Sequence, residues 1–283
     1  MITASAYAKL NLYLDVVARR PDGFHDIETV MQQISLADTF SLSFDLNEHR
    51  KFSGNISLGL GDDNLCWKAV RYFYEALHEE PCNIGINLFK RIPIGAGMGG
   101  GSADAAAILK ILNKKNGFPF TVPQLCEIGA SVGSDVPFCV LGGTAHAAGK
   151  GEILTPIPAE TVLHYVVCKP DVFVSTPDMY RRIDELGIRP KLNADAMLSA
   201  IVSSDLREIA AAMYNAFEAP AIAFAPEIGI VKQKLLDVGA LNAMMTGSGS
   251  AVFGLYENAE TAALAFESLK RSNLNVFLCE SIL

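Results

Sequence analysis

Residues 93–107 read PIGAGMGGGSADAAA, and five of the seven positions from Gly95 to Gly101 are glycine. Upstream, Ile84, Ile86 and Leu88 alternate with Gly85 and Asn87 as in a strand; downstream, Ala105, Ile108, Leu109 and Leu112 recur at helical spacing, with Ser102 expected as the N-cap. Strand, glycine loop and helix N-terminus together make an anion site. Glycine lets main-chain N–H groups approach phosphate oxygens with no Cβ in the way, and the helix end adds partial positive charge. In an ordinary turn, so many glycines would add chain entropy to the unfolded state with nothing to offset it.

The composition is compatible with such a site. The chain has 283 residues, half of them apolar, with 31 acidic against 23 basic residues and a net charge of -8. That length suits one large domain or two modest ones, and the apolar fraction is ample for a packed core. The charge argues against a nucleic-acid partner, which requires a basic face to displace counterions from phosphates. The six cysteines include no CxxC pair and no zinc spacing, so they read as small core hydrophobes in a reducing compartment. The first twenty residues lack a secretory pattern, and Asn215, Glu218, Pro220, Pro226 and Glu227 interrupt the apolar stretch near 210–230. The protein is therefore expected to be cytoplasmic, with no membrane partner; the sequence leaves monomer and homodimer both open.

Glycine and charge divide unevenly. Residues 1–150 hold 16 of the 23 glycines and a net charge of -2, against seven glycines and -6 beyond. Leu10, Leu12, Leu14 and Val16 alternate with Lys9, Asn11, Tyr13 and Asp15, the pattern of a half-buried strand that puts Lys9 and Asn11 on one face. Phe40, Leu42, Phe44 and Leu46 repeat the pattern. Asp62 or Asp63 is the expected cap of a helix through about Leu77, with Leu65, Ala69, Tyr72, Phe73 and Ala76 inward; Thr121 and Gln124 form a capping box for a helix ending near Gly133. Beyond the Gly142-Gly143 turn, a strand at 162–168 precedes helices near 177–187, 205–216 and 227–238. The tail reads strand (242–246), glycine turn, strand (251–256), helix (259–271), strand (274–279), half of a ferredoxin-like layer. The expected class is α+β, with two domains at 1–150 and 151–283.

Other phosphate motifs fit poorly. Gly95, Gly97 and Gly100 satisfy GxGxxG, but where a ribose-binding acid belongs the chain reads Lys115-Asn116-Gly117-Phe118. Gly149-Lys150 lacks the upstream glycine of a Walker loop. Pro93–Ala103 instead resembles the phosphate loop of the GHMP kinases, of form P-x-x-x-G-[LM]-G-S-S-[AS], departing from it at Gly99-Gly100-Gly101-Ser102-Ala103-Asp104 in the manner of one branch of that family. The resemblance spans the chain: Ala8-Lys9-Leu10-Asn11-Leu12, Arg20-Pro21-Asp22-Gly23-Phe24-His25, Gly133-Ser134-Asp135-Val136-Pro137-Phe138 and Thr246-Gly247-Ser248-Gly249-Ser250 all match that branch in order. Asn215-Ala216-Phe217-Glu218 stands where N-D-[LF]-E is usual, and Phe24 where tyrosine is commoner.

The resemblance implies the two-domain GHMP kinase fold, a ribosomal S5 domain 2-like N-terminal domain for ATP binding and catalysis and a ferredoxin-like C-terminal domain for substrate. It implies ATP held by Pro93, Ile94, Gly95, Ala96, Gly97, Met98, Gly99, Gly100, Gly101, Ser102 and Ala103, with Mg²⁺ and Ser102 a candidate to reach it. By itself Asp135 reads as a turn residue and Lys9 as a strand lysine. The resemblance makes them the catalytic pair: a base for the acceptor's proton and a charge that keeps that base ionised. It also implies a small-molecule acceptor carrying a cytidine diphosphate group, bound by Asn11, Phe24, His25, Thr176, Tyr180 and Gly247, with His25 at the base edge between the rings of Phe24 and Tyr180. The alternatives are a GHMP kinase of the mevalonate or homoserine type, or a nucleotide-binding protein without turnover.

Overall fold

The computed structural model describes residues 1–44, 50–56, 61, 63–272 and 274–283. In chain order its elements are β1 (Ile2–Arg19), β2 (His25–Phe44), β3 (Arg50–Gly54), α1 (Leu65–Leu77), β4 (Ile84–Phe89), α2 (Gly100–Lys115), α3 (Val122–Val132), α4 (Val136–Leu141), β5 (Thr144–Ala148), β6 (Ile153–Pro156) and β7 (His164–Lys169). There follow α5 (Thr176–Leu186), α6 (Ala194–Ser203), α7 (Leu206–Ala212), β8 (Tyr214–Asn215), α8 (Glu218–Phe224), α9 (Glu227–Asp237), β9 (Asn242–Met245), β10 (Val252–Tyr256), α10 (Ala259–Leu269) and β11 (Asn275–Glu280). Two compact units result. One comprises Met1–Ala8, Leu36–Ile92 and Gly99–Gly142, the other Lys9–Ser35, Pro93–Met98 and Gly143–Leu283. The long strands β1 and β2 each contribute to both, so compactness does not follow chain order. No described helix is long and apolar enough to cross a membrane.

In the first unit β3 pairs parallel with β4, and β4 pairs antiparallel with Thr39–Phe44 of β2. Phe40, Leu42, Ile84, Ile86 and Leu88 are buried there, as their alternation implies; Leu46 lies outside the described residues. Helices α1 to α4 pack on one another. The cap of α1 is Asn64, whose side chain accepts from the Cys66 amide; Asp63 is not the cap and Asp62 lies outside the described residues. The buried face is Cys66, Trp67, Ala69, Val70, Phe73 and Tyr74, so Leu65, Tyr72 and Ala76 are only partly covered. Ala69 and Phe73 are the two expected positions that lie at its centre. The capping box is present, with the Thr121 amide donating to Gln124 Oε1 at 2.9 Å.

Helix α2 begins three residues before the expected start. Its N-cap is Gly99, in the left-handed region at φ 65°, and the Ala103 amide donates to Gly99 O at 2.8 Å. Ser102 therefore lies inside the first turn: glycine adopts the left-handed cap without a Cβ penalty, and three glycines in a row let the helix start earlier. A buried triad anchors this helix to the loop's entry. Lys90 Nζ lies 2.5 Å from Asp38 Oδ2 and 2.7 Å from Asp104 Oδ2, and Asp38 Oδ1 accepts from the amides of Arg91 and Ile92. A Cβ at Gly100 would come within 3.2 Å of that ammonium. Burial, outweighing Lys90, raises the Asp104 carboxyl to about 7.

The second unit holds a four-stranded antiparallel sheet of order β11-β7-β10-β9, backed by α9 and α10. In chain order its strands are β7, β9, β10 and β11, so the spatial order 4-1-3-2 completes the ferredoxin-like layer of which the tail alone showed half. Helices α6 and α8 were not foreseen, and α7 stops at Ala212, where Tyr214 and Asn215 leave the helix to pair parallel with Tyr13 and Leu14. In the same unit Thr29–Gln32 of β2 pairs antiparallel with β5, and β5 with β6.

Residues 8–16 of β1 are buried on both faces, not one. Leu14 and Val16 enter the core beneath the four-stranded sheet. The alternate polar face is covered because each polar group is paired: Asp15 accepts from the amides of Val16, Lys191 and Leu192, and Tyr13 OH accepts from the Asn193 amide.

Removing one partner of the triad leaves buried charge uncompensated. Lys90→Met is expected to destabilise the protein by about 3–5 kcal/mol in urea unfolding. Between the ordinary Asp value of 3.8 and about 7, the native state keeps a proton that the unfolded chain has lost. Stability from this group therefore falls as pH rises through that window. Asp104→Asn is expected to flatten that part of the pH profile, and an unaltered profile would contradict the shift.

Candidate active site

The loop between β4 and α2 alternates inward and outward. Ala96 and Met98 are buried, while Gly95, Gly97 and Gly99 to Ser102 stay wholly or partly open. Gly95, Gly97 and Gly99 have φ of 64°, 74° and 65°, a left-handed conformation that side chains with a Cβ rarely adopt. A Cβ on Gly97 would sit 2.2 Å from Thr246 O, and one on Gly247 would sit 2.7 Å from Gly97 O. The Lys9 amide donates to Met98 O and the Ala251 amide to Ala96 O, each at 3.1 Å. Within the second unit the first half of the loop is thus clamped between β1 and the Thr246–Ala251 turn. The second half, Gly99–Ala103, opens the sixteen-residue helix α2, whose first-turn amides point toward its N-terminus.

Lys9 and Asn11 are buried on one face of β1, as their spacing requires. Lys9 Nζ donates to Asn11 Oδ1 at 2.6 Å, Asn11 Nδ2 donates to Thr29 Oγ1 at 2.9 Å, and the Asn11 amide donates to Thr246 Oγ1 at 3.0 Å. Asn11 therefore touches the lysine, and its own donors and acceptor are engaged in holding that lysine in place. In the first unit Asp135 is half-buried at the N-cap of α4, where its carboxylate does not cap the helix. Its position follows from close packing: a Cβ on Gly129 of α3 would meet Val136 at 2.9 Å.

The Arg20–His25 segment is a tight turn. The Arg20 amide donates to Phe24 O at 2.7 Å, Asp22 Oδ1 accepts from the Phe24 amide, and Gly23 takes φ 86°. Phe24 is 58% exposed with Lys150 Nζ 5.0 Å from its ring centre. His25 is buried, and Tyr180 stacks on it, with ring centroids 4.6 Å apart and planes 18° apart. Thr176, the first residue of α5, has its Oγ1 2.6 Å from Ser248 Oγ. The structure thus brings Phe24, His25, Tyr180 and Thr176 into one unit with Asn11 and Gly247, but Tyr180 stacks on His25 itself, where the expected arrangement had its ring and that of Phe24 enclosing the base.

Sequence reasoning missed three sets of residues here. Asp184, one turn after Tyr180 on α5, lies 2.8 Å from His25 Nε2; nothing in its local pattern distinguishes it from any helix-surface acid. Asn215 Nδ2 donates to Met245 O and Gly247 O at 2.7 and 2.8 Å, and Glu218 Oε2 accepts from the Met245 amide. Those two were legible as the outer members of Asn215-Ala216-Phe217-Glu218, a motif noted only for its departure. Lys90 and Asp38, the third set, are separated by about 50 residues and carry no local signal.

The family models for the GHMP kinases N terminal domain and the GHMP kinases C terminal match residues 64–143 and 197–275. A 4-diphosphocytidyl-2-C-methyl-D-erythritol kinase of Alkaliphilus metalliredigens (strain QYMF) is 40% identical over 265 residues, 93% of this chain and 90% of the relative. The chain belongs to the GHMP kinases. A crystal structure of a 4-(cytidine 5'-diphospho)-2C-methyl-D-erythritol kinase superposes with a TM-score of 0.84 at 34% identity, covering 99% of both chains. The mevalonate kinase of Methanococcus jannaschii, at 14% identity and a TM-score of 0.74 over 100% of this chain and 98% of its own, shares the fold. Membership of the GHMP kinases implies ATP as phosphoryl donor, and the glycine geometry is what such a donor requires.

The contact at Gly97 can be separated from backbone strain. Gly97→Ala is expected to raise KM for ATP at least tenfold and lower Tm, whereas Gly117→Ala, with φ 76° and open space around it, costs only the left-handed penalty of about 1 kcal/mol. Equal thermal and kinetic effects of the two substitutions would contradict the clamp.

Proposed function

We propose that this chain transfers the γ-phosphate of ATP to the 2-hydroxyl of 4-diphosphocytidyl-2-C-methyl-D-erythritol, a step in isoprenoid precursor synthesis. The observation that carries this reading is the 40% identity over 93% of the chain to a kinase of that name. Residues 1–150 hold ATP and the catalytic groups; 151–283 supply the acceptor side through Thr176, Tyr180 and Gly247, which complement Asn11, Phe24 and His25.

Phosphoryl transfer requires mainly positioning and charge stabilisation, because its transition state spreads negative charge over the equatorial oxygens. Backbone amides from Gly95 to Ala103 hold the polyphosphate. Asp135 takes the acceptor's proton, help typically worth about 10² to 10⁴ in rate. Lys9, held by Asn11, offsets alkoxide charge as it develops. Mg²⁺, when bound, neutralises the phosphate oxygens. Such an ion would be carried largely by phosphates and water, with Ser102 beside it. Phe24 supplies a stacking face for the base, worth about 1 to 3 kcal/mol by analogy with single-strand binders; lacking a hydroxyl, it adds no hydrogen bond.

A mevalonate or homoserine acceptor has no base for the Phe24, His25 and Tyr180 group to bind. A binding protein without turnover would have no use for a buried Lys9 held by a dedicated asparagine.

Asp135→Asn is expected to reduce turnover by at least about 10² while ATP affinity stays within a few fold. Retained turnover would remove Asp135 as the base. His25→Ala is expected to raise KM for the cytidine acceptor far more than KM for ATP in steady-state assays; equal effects would overturn the cytosine assignment.

A further inference from the structure

The imidazole of His25 is held on two sides. Tyr180 covers its face and is itself met edge-on by Phe217, with ring centroids 4.9 Å apart and planes 86° apart. At the ring edge, Nε2 lies 2.8 Å from Asp184 Oδ1, and Asp184 Oδ2 lies 3.5 Å from Arg19 Nη1. Tyr180 and Asp184 are four residues apart on α5, so one helix face supplies both the stacking ring and the carboxylate.

An ionised carboxylate can only accept, so Nε2 carries the imidazole proton facing it. In the neutral ring Nδ1 is then left as an acceptor, and among the described residues it has no hydrogen bond. Cytosine presents an exocyclic amine on the edge where uracil presents a carbonyl oxygen. An acceptor nitrogen pairs with the first and opposes the second, and a site built to receive a donor rejects an analogue that lacks it because its own polar group is left unpaired.

We propose that Asp184 is a positioning residue that holds His25 in the Nε2–H tautomer, and that this makes the site select a cytidine over a uridine diphosphate acceptor. The proposal rests on the cytosine reading of His25 given above and extends it to a residue and a choice of base.

The test compares wild type, Asp184→Ala, Asp184→Asn, His25→Ala and Glu185→Gln, the last removing a neighbouring surface carboxylate of α5. Each is assayed with 4-diphosphocytidyl-2-C-methyl-D-erythritol and with its uridine counterpart, and the imidazole nitrogens of His25 are observed by ¹⁵N NMR. Asp184→Ala is expected to raise KM for the cytidine acceptor about tenfold, the value of one hydrogen bond to a charged group. KM for ATP should be unchanged, the preference for cytidine should fall, and the Nε2–H signal should give way to a tautomer mixture. Asp184→Asn, whose Oδ1 still accepts, should restore most of the preference, and Glu185→Gln should match wild type. An Nδ1–H tautomer in wild type, or an undiminished cytidine preference in Asp184→Ala while His25→Ala loses it, overturns the role of Asp184. If His25→Ala also leaves both the preference and KM unchanged, the cytosine reading itself fails.

Discussion

The approach of Gly97 to the Thr246–Gly249 turn is the contact on which the glycine loop of the second unit depends. With Thr246 O 2.2 Å from where a Cβ would stand, and Gly97 O 2.7 Å from the corresponding point on Gly247, only glycine on both sides allows the two backbones to meet. The consequences run outward along the chain. The turn must be held against its partner, so Asn215 bonds two of its carbonyl groups and Glu218, paired with Lys232, receives the Met245 amide. Asn215 lies in the short strand beside β1, and the Lys9 amide closes the circuit on Met98 O. Directed N–H dipoles can receive an anion without a basic patch, so the net charge of -8 does not oppose the phosphate role proposed for this loop.

Buried polar groups give this framework its definition. Asn11, Asp15 and Asn215 lie in the interior with their hydrogen bonds made to backbone or to Lys9 and Thr29. Each would cost about 1–3 kcal/mol if left unpaired, so an altered register of β1 loses several such bonds together. The Asp38, Lys90 and Asp104 triad does the corresponding work at the start of α2. Two carboxylates share one ammonium there, and burial raises the proton affinity of Asp104.

Much of this was legible because it is local or periodic. The glycine loop, the capping box at Thr121, the pairing of Lys9 with Asn11 and the tail from Asn242 to Glu280 all follow from spacing, glycine and alternation. What escaped depends on which of several adequate residues wins, or on partners distant in sequence. Ser102 is a good cap, but Gly99 can take the left-handed cap conformation and starts α2 earlier. Asp63 is also a good cap, yet Asn64 is the residue whose side chain meets the Cys66 amide. Half-burial of β1 was inferred from alternation, which cannot show that a polar face is covered by amides from residues 191–193. Asp184 gained meaning only when α5 brought it to His25. The glycine loop was thus readable from the sequence, whereas the partner of His25 was not.

The central claim is that this GHMP kinase phosphorylates an acceptor bearing cytidine diphosphate. Its most direct measurement is ATP consumption with each of four acceptors, 4-diphosphocytidyl-2-C-methyl-D-erythritol, mevalonate, homoserine and galactose, with the products followed by ³¹P NMR. The expected result is turnover with the first alone, and a new phosphomonoester signal beside an intact diphosphate. Preferential turnover of any of the other three, or ATP hydrolysis without a phosphorylated acceptor, would contradict it.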